Sequence, residues 1–393
     1  MINLFVAAIV LTTIGIGDLI HQYAILFSFV FFWLFCNLGG LLNFRAPAYI
    51  FWYFPLFSYL AWVYGIFLAL LNGVSSEAYI RNFAALWFYL FFYIIYYESI
   101  VFEKIFDLLK KLSLLYSFVA LFFLVQNLFI GQFTSVDESG TVAFRLYYSV
   151  GLLVLFVPIV FILFGYFGIQ RKSIFKGDSF WGHGVFVDFI SLIYFSSLIF
   201  ASGSKGFYLA FVVVLLVIVV NSFVRFLLAV RINKFIIFAS VVWILIFICY
   251  NELLLSIIDV IFSMEFDEAH PRVLQGIALI EDFKFFGSGI GASISSGYTR
   301  DDLGYGFELS FHNVIHKLGF VSIFIFLMIF YPFLASLRNI LITKNELRKS
   351  ALSFSLMLYI FPAYGNPFLI SPITVLFNVI ALYILIPNSP RKS

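Results

Sequence analysis

Charge is what this sequence has least of: only 11% of its 393 residues are Asp, Glu, Lys or Arg, against about 25% in a soluble domain. With 63% apolar residues and a mean hydropathy of +1.08, no polar shell is left to cover a core in water, which excludes a soluble globular fold. The 20 carboxylates nearly offset the 23 Lys and Arg, and no basic block stands out, so nucleic acid is not expected as a partner. Cysteine is scarce too. Cys36 and Cys249 both lie inside apolar runs, where they read as small packing residues and not as a disulfide framework. Neither a low-complexity linker nor a repeat with a period of about 20–50 residues is visible. What remains is an all-α integral membrane protein, one polytopic domain over residues 1–393.

Apolar runs long enough to cross about 30 Å of hydrocarbon recur along the chain. They predict about twelve transmembrane helices at 2–17, 22–42, 48–71, 82–102, 112–133, 149–169, 184–201, 206–222, 235–257, 312–337, 350–363 and 369–386. The first run has no preceding Lys or Arg and no small-residue cleavage pattern, so it reads as a retained span and not as a signal peptide. The 56 Phe are spread over all spans as lipid-facing and core filler. Pairs such as Trp52–Tyr53, Tyr96–Tyr97 and Tyr147–Tyr148 suit interfacial belts.

Alternate loops separate the basic residues. Arg45, Lys104, Lys110, Lys111, Arg171, Lys172, Lys176, Arg225, Arg231, Lys234, Arg338, Lys344, Arg348, Lys349, Arg391 and Lys392 fall in one set of loops. Arg81, Arg145, Lys205, Arg272, Lys284, Arg300 and Lys317 fall in the other. Positive residues stay inside, so both termini are expected in the cytoplasm, and the loop 258–311, containing short helices, is expected outside. Ionisable residues near mid-span are scarce: Glu98 and Asp188 read as close to the inner edge and Asp259 as close to the outer one. A proton relay is not visible, and the polar chemistry collects on the outer face.

Four clusters there invite a functional reading. In the first, Glu268-Ala-His270-Pro271-Arg272 precedes an apolar-periodic stretch, Val273 to Phe286, closed by Gly287-Ser-Gly-Ile-Gly291. This predicts a short amphipathic helix that starts at Pro271 and carries Arg272, a planar fork for an anion, in its first turn. The bland alternative is an Arg paired with Asp267 or Glu268. The glycine triplet follows no strand and is not a nucleotide fingerprint. In the second, Glu308, His312 and His316 recur at helical spacing beside Asn313 and Lys317. Glu308 orienting His312 would make a general base, whereas two His without a third ligand do not make a zinc site; no metal and no cofactor are expected. In the third, Ser202-Gly-Ser-Lys205-Gly206 is a tight turn presenting a cation. In the fourth, Arg145-Leu-Tyr147-Tyr148 is either an anion contact or a belt anchor.

Taken in order, these clusters resemble the O-antigen polymerase and O-antigen ligase superfamily of bacterial surface-polysaccharide enzymes. The resemblance rests on about twelve spans, a dominant late outer loop, Arg272 to Gly291, His312-Asn313 opening the next span, Ser204-Lys205-Gly206 in place of a Ser-Arg-Gly element, and Gly365-Asn366-Pro367 near the end. It implies a GT-C-like glycosyltransferase of the bacterial inner membrane acting on undecaprenyl-diphosphate-linked oligosaccharide, with membrane lipid and a chain-length regulator as further partners. It implies diphosphate binding by Arg272, Lys205 and Arg145, catalysis by His312 with Glu308, and supporting positions at His316, Asn313 and His270. Two departures matter: Lys205 stands where Arg is usual, and only five residues separate Asn313 from Gly319, about one helical turn fewer than among ligases. The second favours polymerase over ligase. A lipid-linked oligosaccharide flippase would need charges lining a mid-membrane cavity, and a purely structural membrane protein would leave the ordered clusters unexplained.

Overall fold

The computed structural model describes residues 31–33, 35–37, 49–130, 134–136, 142–144, 149–168, 174–175, 179–202, 204–229, 271–294, 309–343, 346–364 and 369–386. Within them the chain is mainly helical, with one short antiparallel pair of strands and irregular connections. A 3-10 turn, Ile50–Tyr53, leads into α1 (Phe54–Leu71), followed by α2 (Ser76–Tyr97) and α3 (Phe102–Ile130). Strands β1 (Thr134–Val136) and β2 (Val142–Phe144) pair with Thr134 opposite Phe144. Then come α4 (Ser149–Leu152), α5 (Phe156–Leu163), α6 (Val185–Ala201), α7 (Lys205–Ala229), α8 (Pro271–Glu281) and α9 (Ser310–Leu318). The last four are α10 (Ser322–Arg338), α11 (Leu347–Met357), α12 (Ile360–Ala363) and α13 (Pro372–Leu385).

The bundle is organised around two helices buried on every side and almost wholly apolar, the pattern of a helix enclosed by others. All eight residues of α5 are buried, and so is α13 from Ile373 to Leu382. Helices α2, α10 and α11 pack on α13, α11 also reaches α5, and α1 closes the group against α2 and α10. Helix α13 is started by its own sequence: Pro372 fits the first turn, and the Ser371 hydroxyl accepts the backbone N–H of Thr374 at 3.3 Å, filling one of the donors a helix start leaves open.

Among the described residues three apolar helical stretches are long enough to cross a membrane, Ile50–Leu71, Lys205–Phe223 and Ser310–Thr343, and four shorter ones accompany them. An all-helical membrane protein is therefore the coarse result. The expected spans 2–17 and 235–257 lie outside the described residues, as does most of 22–42. Several boundaries differ from expectation: α2 runs Ser76–Tyr97 against 82–102, and α7 runs on to Ala229 against 222. Helix α3 begins at Phe102 and not at 112, because hydropathy marks where hydrocarbon starts whereas Glu103, Lys104, Asp107 and Lys110 are already helical. The stretch expected as one span at 350–363 is divided into α11 and α12. The stretch expected as one span at 312–337 is broken where Gly319 takes φ 58 and ψ −139, so α9 is a separate short helix.

Charged residues tie one end of the bundle. Arg348 donates to Glu103 at 2.6 Å and lies over the Phe106 ring. Lys110 donates to the Phe180 carbonyl at 2.6 Å. The fully buried Asp188 accepts from Tyr166 Oη and from the Phe180 and Trp181 backbone N–H groups. Helix α9 lies at the other end of α10, about 25 Å away at 1.5 Å per residue.

A glycine-rich strap, residues 283–294, folds back along the last two turns of α1. Ile290 N–H donates to Gly65 O at 3.0 Å, and the Asn72 side-chain amide donates to Ser288 O at 2.9 Å. Gly287, Gly289 and Gly291 all have positive φ (86, 94 and 83). A Cβ on Gly289 would stand 2.5 Å from Ala69 N, whereas one on Gly73, at φ +68, would meet nothing within 4 Å. Gly73→Ala should therefore cost about 1 kcal/mol, and Gly289→Ala about 3 kcal/mol or more, because backbone has to move. Thermal unfolding of the two variants in detergent measures the difference, and equal costs would show that the strap is not held by close approach.

Candidate functional site

Helices α8 and α9 form a pair at that end of the bundle. Helix α8 is amphipathic. Gln275, Ala278 and Leu279 are buried toward α9 and the strap, and a small apolar cluster joins Ala278 and Leu279 to Ile294 and Leu309. At its start, the Leu309 backbone N–H donates to Gln275 Oε1 at 3.1 Å. Beyond its end, His316 Nε2 lies 2.8 Å from Asp282 Oδ2. An ionised carboxylate only accepts, so Nε2 carries the proton and the ring is fixed in that tautomer. Both contacts join residues 34 positions apart, which sets the two helices parallel and in register.

The strap completes the pair. The last carbonyls of a helix have no partner inside it; here His316 O accepts from Ser288 N–H at 3.0 Å and Lys317 O from Gly289 N–H at 2.9 Å. In return Phe320 N–H donates to Phe285 O at 2.9 Å. This exchange brings backbone against backbone at Gly287 and Gly319: a Cβ on Gly287 would stand 2.6 Å from Lys317 O, and one on Gly319 would overlap Phe285 O. Expected only to close α8, the glycine triplet also caps α9.

The expected site residues divide as follows. Arg272 is the second residue of α8, one turn before Gln275, and thus on the helix that packs against α9. His312 is half-buried on α9, one turn nearer its start than His316. Asn313 lines a small cleft with Trp62, Ile290, Val314, Lys317, Leu318 and Ile370, and its Oδ1 is buried without a hydrogen-bond partner. Lys205 opens α7 and is half-buried. Gly206 beside it has no positive φ; its lack of a side chain instead lets α7 press on Pro362 of α12. The start of α7, where Lys205 stands, thus packs against α12. Glu308, His270, Arg145 and Gly365-Asn366-Pro367 lie outside the described residues.

Among the described residues the histidine bonded to a carboxylate is His316, through Asp282, a pairing that the spacing of Glu308, His312 and His316 does not suggest. Its side chain is 0% exposed, against 26% for Asp282, which makes the pair a tie between the two segments, whereas His312 is half-buried. Lys317, expected on the outer side of the membrane, is buried within the protein, and together with Lys284 it lies within electrostatic reach of His316. Among the described residues no three His, Cys, Asp or Glu side chains gather as metal ligands. What the pair offers chemically is a cationic residue at the start of one helix and an imidazole on its neighbour.

No protein-family model, curated protein or solved structure matches the chain.

The Asp282–His316 tie has a measurable coupling. In a thermal-stability cycle of Asp282→Ala, His316→Leu and the double variant, the interaction energy should be about 1–3 kcal/mol, the range for groups sharing a buried hydrogen bond. A value indistinguishable from zero would mean that the bond does not hold the helices together.

Proposed function

We propose that this chain is a membrane glycosyltransferase that polymerises a surface polysaccharide such as O-antigen or capsule. On this reading it has about twelve spans in a GT-C-like arrangement, with its active face outside the bacterial inner membrane. It transfers a growing undecaprenyl-diphosphate-linked glycan onto a lipid-linked repeat unit. The observation that carries the proposal is the parallel pairing of α8, which begins with Pro271 and Arg272, with α9, which holds His312 and Asn313.

In the reaction, the bond between the donor's anomeric carbon and the phosphate oxygen breaks while a bond forms from the acceptor hydroxyl oxygen to the same carbon. Negative charge collects on the departing diphosphate, where fixed cations stabilise it. Arg272 fills that role, with Lys205 as a second cation and Arg145 as a third. The acceptor hydroxyl loses its proton to His312, with Glu308 as the orienting carboxylate. Asp282 and His316 keep the two helices in register, so they are positioning residues. The five-residue separation of Asn313 from Gly319 favours polymerase over ligase.

Arg272→Ala and His312→Ala should each lower elongation of lipid-linked repeat units by at least about 100-fold, the range for loss of a charge-stabilising or proton-transferring group. The assay uses purified protein and lipid-linked repeat unit, with membrane insertion unchanged. In cells, loss of the gene should leave single repeat units on the surface. Finished chains stranded on carrier lipid would assign ligation instead, and repeat units trapped inside would assign transport. Near-normal chains from both variants would overturn the proposal.

A further inference from the structure

The outward face of α8 is apolar: Leu274, Ile277 and Ile280 are exposed, and Phe283, Phe285 and Phe286 continue the surface into the strap. In water such a patch would be costly, but it does not stand alone. Phe285 stacks on Phe320 with ring centroids 5.2 Å apart and 13° between planes, and Phe286 meets the same ring edge-on. Phe320 heads an exposed stripe down α10, Ile323, Leu327, Phe330 and Leu334, whose spacing of three and four residues marks one helix face. On the other side, Tyr64 of α1 donates to Phe286 O at 2.8 Å. It lies beside a second exposed stripe, Leu60, Val63, Phe67 and Leu70. The phenylalanines therefore bridge the outward apolar faces of two membrane-crossing stretches.

Their level is fixed as well. Ile290 bonds Gly65, and six residues of α1 follow before its end at Leu71, about 9 Å of rise. Phe67, Leu70 and Leu71 along that rise are themselves exposed. Hydrocarbon that covers the end of α1 therefore also reaches the Phe285–Phe286 edge of the strap. Much of the irregular strap backbone is satisfied within the protein: the N–H groups of Ser288, Gly289 and Ile290 donate to α9 and α1, and the carbonyls of Phe285, Phe286 and Ser288 accept from Phe320, Tyr64 and Asn72, as non-helical chain inside a membrane requires. The charged residues on this face are Glu281 and Lys284, opposite in sign and three positions apart, a match for the paired charges of a zwitterionic headgroup layer.

We propose that Phe285, Phe286 and Phe320 sit among the acyl chains of the outermost leaflet and that α8 lies along the interface with Leu274, Ile277 and Ile280 turned into the lipid. The partner is the bilayer itself. A stretch expected as part of an external loop is thereby a membrane-immersed wedge, whatever reaction the site performs.

A depth measurement tests this. In a chain carrying Cys36→Ser and Cys249→Ser, Ile280→Cys is labelled with an environment-sensitive fluorophore and reconstituted in phosphatidylcholine vesicles, with Leu327→Cys as the mid-bundle reference. Ile280→Cys should show blue-shifted emission, resist aqueous iodide, and be quenched more by lipid spin-labelled near the glycerol end of its chain than by lipid labelled at the chain terminus. Leu327→Cys should show the opposite order. Should Ile280→Cys not fold, judged by its melting temperature, Ile277→Cys gives the same readout. Iodide quenching of either label, or no quenching by spin-labelled lipid at either, overturns the proposal.

Discussion

Everything around the α8–α9 pair depends on two backbones passing at contact distance where the strap meets the end of α9. His316 O and Lys317 O take their donors from Ser288 and Gly289, and that exchange is possible only because Gly287 and Gly319 present no Cβ to each other's chain. Where water is scarce, an unmet carbonyl costs several kcal/mol. The glycines therefore do more than permit a bend: they let one segment satisfy the exposed end of another. The Asp282–His316 bond stands one turn away from this crossing and fixes the side chains on the same geometry.

How much of this was legible in the sequence varies with the distance over which each feature is determined. Apolar runs placed α1, α6 and α13 close to their observed limits, because burial in hydrocarbon is a local property of composition. Running averages of hydropathy are blind to φ, which is why the break at Gly319 was hidden inside a single expected span. The glycines of 287–291 were visible as a turn. Their real constraint comes from Ala69, Ala78 and Lys317, residues far away in the chain that no spacing rule connects to them. Asp282 as the partner of His316 was hidden in the same way: the carboxylate stands 34 positions back, just past the end of α8, where no helical spacing points. Pro271 and the apolar period did announce α8, since capping and amphipathicity are written locally.

The charged residues at the opposite end show a different economy. Asp188 is buried, yet a tyrosine hydroxyl and two backbone N–H groups share its charge. Lys110 is held between the Phe180 and Trp181 rings, each 4.8 Å away. These groups are consumed in joining α3, α5 and α6, and their neighbours leave them little to offer a ligand. The contrast with the half-buried His312 and the unbonded Asn313 oxygen is what separates framework from site in a chain with so few ionisable residues.

The equal offset of the two bonds between α8 and α9 acts as a gauge. Because Gln275 meets Leu309 and Asp282 meets His316 with the same displacement, neither helix can slide by a turn or roll about its axis without losing both contacts at once. The spacing between the backbone at Arg272 and that at His312 is thereby decoupled from the length of chain that joins Ile294 to Leu309. Residues added to or taken from that connection would leave the two helix starts equally far apart.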